Sequence, residues 1–215
     1  MPLSRISNLD TTAVKIGHWE IQRGECWVIL GRNGAGKRHV ADLLSGTAGS
    51  GLDAVEHEFH SVSLLSFESQ QAFYEEELKK DDTDLLDHPD PGTTVRDMLG
   101  LAGELPAELR FLGLDKLLDR GYRMLSSGEA RKTLLAQAIL QKPDLLILDE
   151  PFDSLDVASQ QQLQDFFQHQ LFEGTTVLLF LLTTREEIFS WHTHVAVMEK
   201  GEMIAQGTRA AILAD

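Results

Sequence analysis

The sequence predicts an α/β fold for this chain of 215 residues. Short runs of Val, Ile and Leu alternate with longer amphipathic stretches, which is the pattern of strands followed by helices. Three runs, at Cys26–Leu30, Leu145–Leu148 and Thr176–Leu182, are almost continuously apolar, as expected of parallel strands buried on both faces. A glycine-rich loop directly follows the first run, and this order of strand and loop is typical of phosphate-binding α/β proteins.

The remaining elements follow from the same periodicity and from helix start signals. Ser127 and Asp156 stand where they can cap the helices that follow them. The other predicted strands are Val14–Ile16, Trp19–Ile21, Val62–Ser66, Val195–Met198 and Met203–Ala205. The predicted helices are Gly36–Ser45, Thr94–Leu101, Pro106–Leu112, Ser127–Leu140, Val157–Leu171 and Thr208–Leu213.

Composition limits the function classes. The 19 basic and 34 acidic residues give a formal net charge of −15, which argues against nonspecific adhesion to nucleic acid or an anionic membrane. The single cysteine, Cys26, cannot form an internal disulfide, so a reducing cytoplasm fits the chain. Nine carboxylates between Glu68 and Asp90 predict a solvated helix and an acidic loop, or alternatively a surface that repels acidic partners or recruits a basic one.

The loop after Cys26–Leu30 has the chemistry of a nucleotide phosphate site. Its glycines let successive N–H groups point inward, and the helix behind it adds a positive N-terminal end. Lys37 supplies a mobile full charge for the β- and γ-phosphates. The candidate nucleotide-binding residues are Gly31, Arg32, Asn33, Gly34, Ala35, Gly36, Lys37, Arg38 and His39.

Arg38 breaks the loop's pattern. The position after the lysine calls for Ser or Thr, whose hydroxyl holds Mg²⁺. Arginine has no acceptor and cannot ligate a cation, so we expect it to take part of the metal's space and to pair with phosphate or with Asp149. The loop therefore indicates nucleotide binding strongly and Mg²⁺ chemistry only weakly.

Two carboxylates end the predicted strand Leu145–Leu148. Asp149 is placed to hold Mg²⁺ through water, and Glu150 is placed to polarise an attacking water as the catalytic base. Capping of the next element is the alternative interpretation of this pair. Upstream, Ser126, Ser127 and Glu129 form a helix-capping motif, and the same helix start is also suited to a second phosphate.

Taken in order, these segments resemble the ATP-binding cassette (ABC) family. The Walker A motif matches Gly31–Lys37, the Walker B motif matches Leu145–Glu150, and the D-loop matches Ser154-Leu155-Asp156. The stretch Leu125–Asp156 further resembles the first half of bacterial tandem-cassette proteins. These proteins are linked either with molybdate transport (the ModF type) or with photorepair. The signature motif matches Leu125, Ser126, Ser127, Gly128 and Glu129.

The resemblance implies an architecture, partners and ligands. It implies one nucleotide-binding domain over residues 1–215, with a P-loop NTPase core of ABC type, a helical subdomain roughly over 67–121 and an N-terminal antiparallel β-subdomain. Such domains bind ATP and Mg²⁺ and pair head to tail with a second cassette, in the same or another chain, so that the signature contacts the partner's ATP. A membrane subunit is a further implied partner, with peripheral attachment at the inner membrane. Nucleic acid is not expected as a partner.

Several positions depart from the family pattern. Ser127 and Glu129 replace a glycine and a glutamine of the signature, and the switch histidine falls on Thr183 or Thr184, which cannot carry its charge. The Q-loop glutamine is expected directly after Val62–Ser66, where Phe67 and Glu68 stand instead, and Gln70 and Gln71 lie nearby. Because these losses cluster around hydrolysis and spare binding, we expect a slow ATPase with Glu150 as base. A non-hydrolysing regulatory cassette is the alternative.

Overall fold

The computed structural model describes residues 3–80, 90–153, 155–170 and 176–214. The acidic residues within 81–89, Ser154 of the D-loop and the predicted helix end at Leu171 lie outside this description. The chain forms two compact units. Unit 1 comprises Met1–Leu64, Pro143–Pro151 and Glu173–Asp215, and unit 2 comprises Leu65–Lys142 and Phe152–Phe172. The single domain over 1–215 and the helical subdomain over 67–121 stay predictions.

Unit 1 contains a sheet of nine strands in the described part of the chain, apart from the last residue of β5. The strands lie in the order β4-β1-β2-β9-β8-β3-β7-β6-β5. They are β1 (Ser4–Asp10), β2 (Lys15–Ile21), β3 (Cys26–Leu30), β4 (Val55–His57), β5 (Val62–Leu65), β6 (Leu145–Asp149), β7 (Val177–Leu182), β8 (His194–Glu199) and β9 (Glu202–Thr208).

The parallel centre of this sheet is as predicted. β3 pairs in parallel with β7 and β8, and β7 pairs in parallel with β6. All six residues of β7 are buried, and Cys26 and Trp27 of β3 are buried as well. Strands covered on both faces have no need of polar residues, which is why their sequences are continuous apolar runs.

The N-terminal strands differ from the prediction. The predicted strands Val14–Ile16 and Trp19–Ile21 are parts of one continuous strand, β2, which begins after Val14 and pairs antiparallel with β1. The sequence pattern predicts neither β1 nor β4. Asn8 of β1 has a φ of 51°, and the alternation of buried and exposed residues changes phase there, so no period of two is visible in the sequence. The three residues of β4 are too few to show one.

Among the described residues, two α-helices belong to unit 1. They are α1 (Lys37–Leu44), which follows β3, and α6 (Arg209–Ile212), which follows β9. Val40, Ala41, Leu43 and Leu44 of α1 are buried in the same core as the strands. The core thus fixes the direction in which α1 leaves the glycine-rich loop.

Unit 2 is built from helices. It contains α2 (Phe67–Lys79), α3 (Val95–Met98), α4 (Ser127–Leu140) and α5 (Val157–Gln170). The predicted helix Pro106–Leu112 is a 3₁₀-helix over Ala107–Leu112 that ends at Gly113, whose φ is 67°. The predicted cap at Ser127 is wrong, because Ser126 is the N-cap and Ser127 is the first helical residue of α4. Among the described residues, no helix is long and apolar enough to cross a membrane.

Candidate functional site

The glycine-rich loop connects the end of β3 to the start of α1. Gly31 N–H donates to Leu182 O at 3.0 Å, and Ala35 O accepts from Gly201 N–H at 3.1 Å. Gly36 has a φ of 99°, in the left-handed region that favours glycine. A Cβ on Gly31 would lie 2.7 Å from the backbone oxygen of Met198. The loop is therefore held on both sides by backbone that only glycine can approach so closely.

Lys37 is folded back over this loop. Its Nζ donates to Gly31 O at 2.5 Å and to Thr183 Oγ1 at 3.1 Å, and it lies 3.3 Å from Glu150 Oε1. The side chain is only 8% exposed. A buried ammonium group needs opposite charge or acceptors around it, and these three groups supply them. A bound phosphate would meet the same requirement.

Three parallel strands bring the partners of Lys37 together. The loop follows β3, Thr183 follows β7 and Glu150 follows β6, and these strands are adjacent in the sheet. Thr183 N–H donates to Glu150 Oε2 at 3.3 Å, and the Thr183 hydroxyl contacts Glu150 Oε1 and Asn33 Oδ1. Glu150 has a φ of 45°, a backbone conformation that a non-glycine residue adopts only at some cost in free energy. The three strand ends thus converge on one polar cluster, as is usual for ligand sites in open α/β sheets.

Arg38 pairs with a carboxylate from each side of the loop. Its Nε lies 3.3 Å from Asp42 Oδ1, one turn further along α1, and its Nη1 lies 3.6 Å from Asp149 Oδ2 at the end of β6. The expectation that Arg38 pairs with Asp149 is confirmed. The side chain of Arg38 is half-exposed, and that of Asp149 is 22% exposed.

The residues present do not fit the Mg²⁺ ion that the family implies. A Mg²⁺ site needs oxygen ligands in near-octahedral geometry, usually including the hydroxyl that follows the lysine. Here that position carries a guanidinium, which has donors only and lies against Asp149, the candidate metal carboxylate. A cation at this place would be repelled by Arg38 and would have to share Asp149 with it.

A cavity of about 620 Å³ adjoins the loop within unit 1, a volume typical of small-molecule sites. Arg32, Asn33 and Gly34 are exposed along it, whereas His39 lies on the exposed face of α1 and does not line it. Its lining also includes Thr183, Arg185, Val197, Met198, Glu199, Lys200 and Ile204.

The signature residues lie in unit 2, at the start of α4. Ser126 Oγ accepts from Glu129 N–H at 3.3 Å, and Glu129 Oε2 accepts from Ser126 N–H at 2.8 Å, which is a capping box. This backbone hydrogen bond, aided by Arg120 nearby, holds the pKa of Glu129 below its usual range. Ser126 and Ser127 are exposed and Leu125 and Gly128 are half-buried, so hydroxyl and backbone donors stand at a helix N-terminus, a favourable place for an anion.

Leu155 and Asp156 of the D-loop belong to unit 2, and Leu155 lies beside this helix start. Asp156 Oδ1 accepts from Ser159 N–H at 2.7 Å and thereby caps α5, as predicted. This hydrogen bond lowers the pKa of Asp156. A Cβ on Gly128 would lie 3.2 Å from Leu155 Cδ2, so this signature glycine permits close packing against the segment that carries Asp156.

Sequence reasoning missed Arg131, a buried residue of α4. Its Nη1 donates to Asp153 O at 2.8 Å, and its Nε donates to Gln70 Oε1 at 3.4 Å. Gln70 Nε2 in turn donates to Ser127 O at 3.1 Å, whereas Gln71 bonds to Glu75 on its own helix. Of the two glutamines left open, Gln70 is the one that reaches the signature. A single arginine within a helix carries no local sequence signal of such contacts.

Comparison with known proteins gives the family. The family model described as ABC transporter matches residues 14–153. The ABC transporter ATP-binding protein ModF of Escherichia coli is 37% identical over 178 residues, which cover 80% of this chain and 36% of ModF. The molybdenum import ATP-binding protein ModC of Vibrio cholerae is 31% identical over 191 residues, covering 83% of this chain and 50% of ModC. The chain thus spans a half or less of the length of these two relatives.

Solved structures agree on the fold. The cbiO1 structure from Clostridium perfringens, part of the ABC transporter complex cbiONQ, superposes with a TM-score of 0.75 at 20% identity. That match covers 100% of this chain and 91% of cbiO1. A nucleotide-free ATP-binding cassette from an ABC transporter gives a TM-score of 0.71 at 21% identity, covering 100% and 96% of the two chains. The chain belongs to the ABC transporter family and is one of its ATP-binding cassettes.

Proposed function

We propose that this cassette holds ATP by its phosphates in the loop Gly31–Lys37. The observation that carries this proposal is the position of Lys37, whose buried ammonium group is surrounded by Gly31 O, Thr183 and Glu150 at the ends of three parallel strands. The loop's backbone N–H groups and the N-terminus of α1 add positive potential at the same place. The adjoining cavity offers room for the rest of a nucleotide.

The bound nucleotide serves to join this cassette head to tail with a second one, in the same or another chain. The exposed Ser126 and Ser127 at the start of α4 support this part of the proposal, because hydroxyls at a helix N-terminus suit the phosphates of a partner's ATP. This chain covers only 36% of the length of ModF. The remaining length of ModF is enough for a second cassette in the same chain. The free energy of ATP binding then shifts the pair toward its closed form.

The residues of this site favour binding of ATP over its hydrolysis. Arg38 lies against Asp149 where a metal would be held, and the resemblance to the family implies that its switch histidine is replaced by Thr183 or Thr184. Both changes remove groups that act on the phosphates during hydrolysis and leave Lys37 in place. We therefore assign the chain the part of a regulatory nucleotide-binding cassette.

A slow ATPase is the second candidate, and the position of Glu150 favours it. This carboxylate contacts Thr183 and lies 3.3 Å from Lys37 Nζ, so it stands next to any phosphate that Lys37 binds. A carboxylate there is suited to act as general base on an attacking water. Loss of turnover in Glu150→Gln is the distinguishing result.

The biological setting proposed here is transport of molybdate. Two relatives, ModF and ModC, are 37% and 31% identical to the chain, and the second is named for molybdenum import. A cassette of this kind works in the cytoplasm, free or attached to a membrane subunit at the inner membrane. The net charge of −15 disfavours nucleic acid as a partner.

The binding proposal is tested by titration calorimetry with ATP on the wild type, Lys37→Ala and Lys15→Ala. Lys15 is an exposed lysine of β2 whose loss changes the net charge equally. Because charged hydrogen bonds contribute about 1.5–3 kcal/mol, we expect Lys37→Ala to weaken ATP binding at least about tenfold. Lys15→Ala should bind as the wild type does. Equal affinity of Lys37→Ala and the wild type would overturn the proposal.

A further inference from the structure

Arg38 replaces the hydroxyl that holds Mg²⁺ in phosphate loops, and the structure gives it two anionic neighbours. Its Nη1 lies 3.6 Å from Asp149 Oδ2, and its Nε lies 3.3 Å from Asp42 Oδ1. The guanidinium therefore stands between α1 and the end of β6. This is the region in which a metal ion would join nucleotide phosphates to Asp149.

A positive charge is still needed at this place, even though the hydroxyl that would bind the metal is absent. Asp42, Asp149 and Glu150 bring three carboxylates near the loop, and the phosphates of a nucleotide would add several more negative charges. Without a cation between them, these groups repel one another in a partly buried environment where screening is weak. Lys37 lies against Glu150, so a second cation is needed on the side of Asp149.

A guanidinium is able to supply that cation. It stays charged at all relevant pH values and presents a planar fork of N–H donors that matches phosphate oxygens. Arg–phosphate and Arg–carboxylate contacts are among the strong charge-assisted hydrogen bonds. Arg38 already holds Asp149, and its half-exposed position leaves it accessible to a ligand from solvent.

From these contacts we infer that Arg38 takes the place of the divalent cation, so that this cassette binds nucleoside triphosphate without Mg²⁺. The inference rests on the proposed binding of ATP at Gly31–Lys37 and specifies the form of the ligand. A fixed monovalent guanidinium neutralises the phosphates but holds no water molecule and offers no open coordination position. Arg38 therefore both helps to hold the nucleotide and explains why the site favours binding over hydrolysis.

The test is titration calorimetry with ATP in excess MgCl₂ and in excess EDTA at matched ionic strength. Three variants accompany the wild type. Arg38→Ser restores the metal-binding hydroxyl, Arg38→Gln removes the charge without restoring it, and Arg23→Gln removes one exposed positive charge elsewhere. Arg23 lies in the turn before β3, and the loop lies after β3, so the five-residue strand separates the two by roughly 15 Å.

We expect the wild type and Arg23→Gln to bind ATP with affinities that differ by less than about threefold between the two conditions, a difference under about 0.7 kcal/mol. Arg38→Ser should bind at least about tenfold more weakly in EDTA and recover in MgCl₂. Arg38→Gln should be weak in both conditions. Thermal unfolding of each variant checks that the fold is unchanged.

The possible failures are distinguishable. Wild-type binding that requires Mg²⁺ would overturn this inference and leave ATP binding at the loop intact. Arg38→Ser binding as tightly as the wild type in EDTA would show that the guanidinium is not the substitute cation. Absence of wild-type binding in both conditions would overturn the proposed function itself.

Discussion

Lys37 Nζ and Glu150 Oε1 lie 3.3 Å apart, although Lys37 begins α1 and Glu150 follows β6. Thr183, at the end of β7, bonds to both of them. The ammonium group proposed to hold phosphate is therefore already paired with Glu150, the carboxylate proposed as general base. A phosphate must compete with Glu150 for Lys37, and this competition makes the role of Glu150 measurable.

Glu150→Gln should strengthen ATP binding and leave turnover unchanged. Removing one negative charge beside Lys37 removes a competitor. A charge contact at this range is worth about 1 kcal/mol even in bulk water, so we expect affinity to rise at least about fivefold. Glu202→Gln is the control, because it removes the same negative charge at an exposed position of β9. ATP affinity is measured by calorimetry and turnover by steady-state phosphate release. A fall in turnover of about a hundredfold or more would instead establish the slow ATPase.

Gly36→Ala should destabilise the protein and weaken ATP binding. Its φ of 99° is unfavourable for alanine, and the new Cβ would lie 2.9 Å from Val14 Cγ1. Strain of this kind costs about 1–3 kcal/mol. Gly17→Ala is the matched control, because a Cβ at Gly17 would have nothing within 4 Å and the φ there is not positive. Urea denaturation is the measurement, and coincident transitions for the two variants would contradict the prediction.

Buried His192 should make the protein less stable in mild acid. It is 2% exposed, and burial lowers its pKa to about 3. Phe189 N–H donates to Nδ1, which accepts this hydrogen bond only when it carries no proton. The unfolded chain takes up this proton near pH 6.5 while the folded protein does not. The contribution of His192 to stability is therefore complete above about pH 6.5 and is lost progressively toward pH 3.

The measurement is the free energy of unfolding from pH 7 to pH 4 in the wild type and His192→Phe. The ring of phenylalanine suits neighbours such as Phe180 and Trp191 and does not titrate. The variant's stability should fall less steeply with acid, even if its stability at pH 7 is lower because the bond from Phe189 is lost. Parallel curves for both proteins would show that His192 does not titrate in this way.

Arg131→Met should lower the free energy of unfolding. The backbone oxygen of Asp153 and the amide oxygen of Gln70 would lose a donor in a partly buried place, at a cost of about 1–3 kcal/mol. Arg110→Met, at an exposed arginine that pairs with exposed Glu104, should cost less than about 1 kcal/mol. Chemical denaturation compares the two variants, and equal losses would mean that the contacts of Arg131 do not stabilise the fold.

Local signals are sufficient where one residue pattern dictates one structure. The buried strands β3, β6 and β7 are predictable because short, continuous apolar runs are typical of strands buried on both faces. The loop before α1 is predictable because its backbone needs conformations and close approaches that glycine allows. The edge strand β4 and the first strand β1 escape prediction. Their hydrogen bonds come from β1 and β2, and such pairing leaves little trace in a short or phase-shifted segment.

By itself, the sequence determined that this chain carries a phosphate loop with arginine after its lysine, a signature and an Asp-Glu pair in the order of an ABC cassette. Only the tertiary structure decided which distant groups meet. It places Arg38 against Asp149, Thr183 against Lys37 and Glu150, and Gln70 and Asp153 against Arg131. These contacts depend on the strand order and on helix packing, which local periodicity does not encode, because side chains remote in sequence meet only when the whole core has formed.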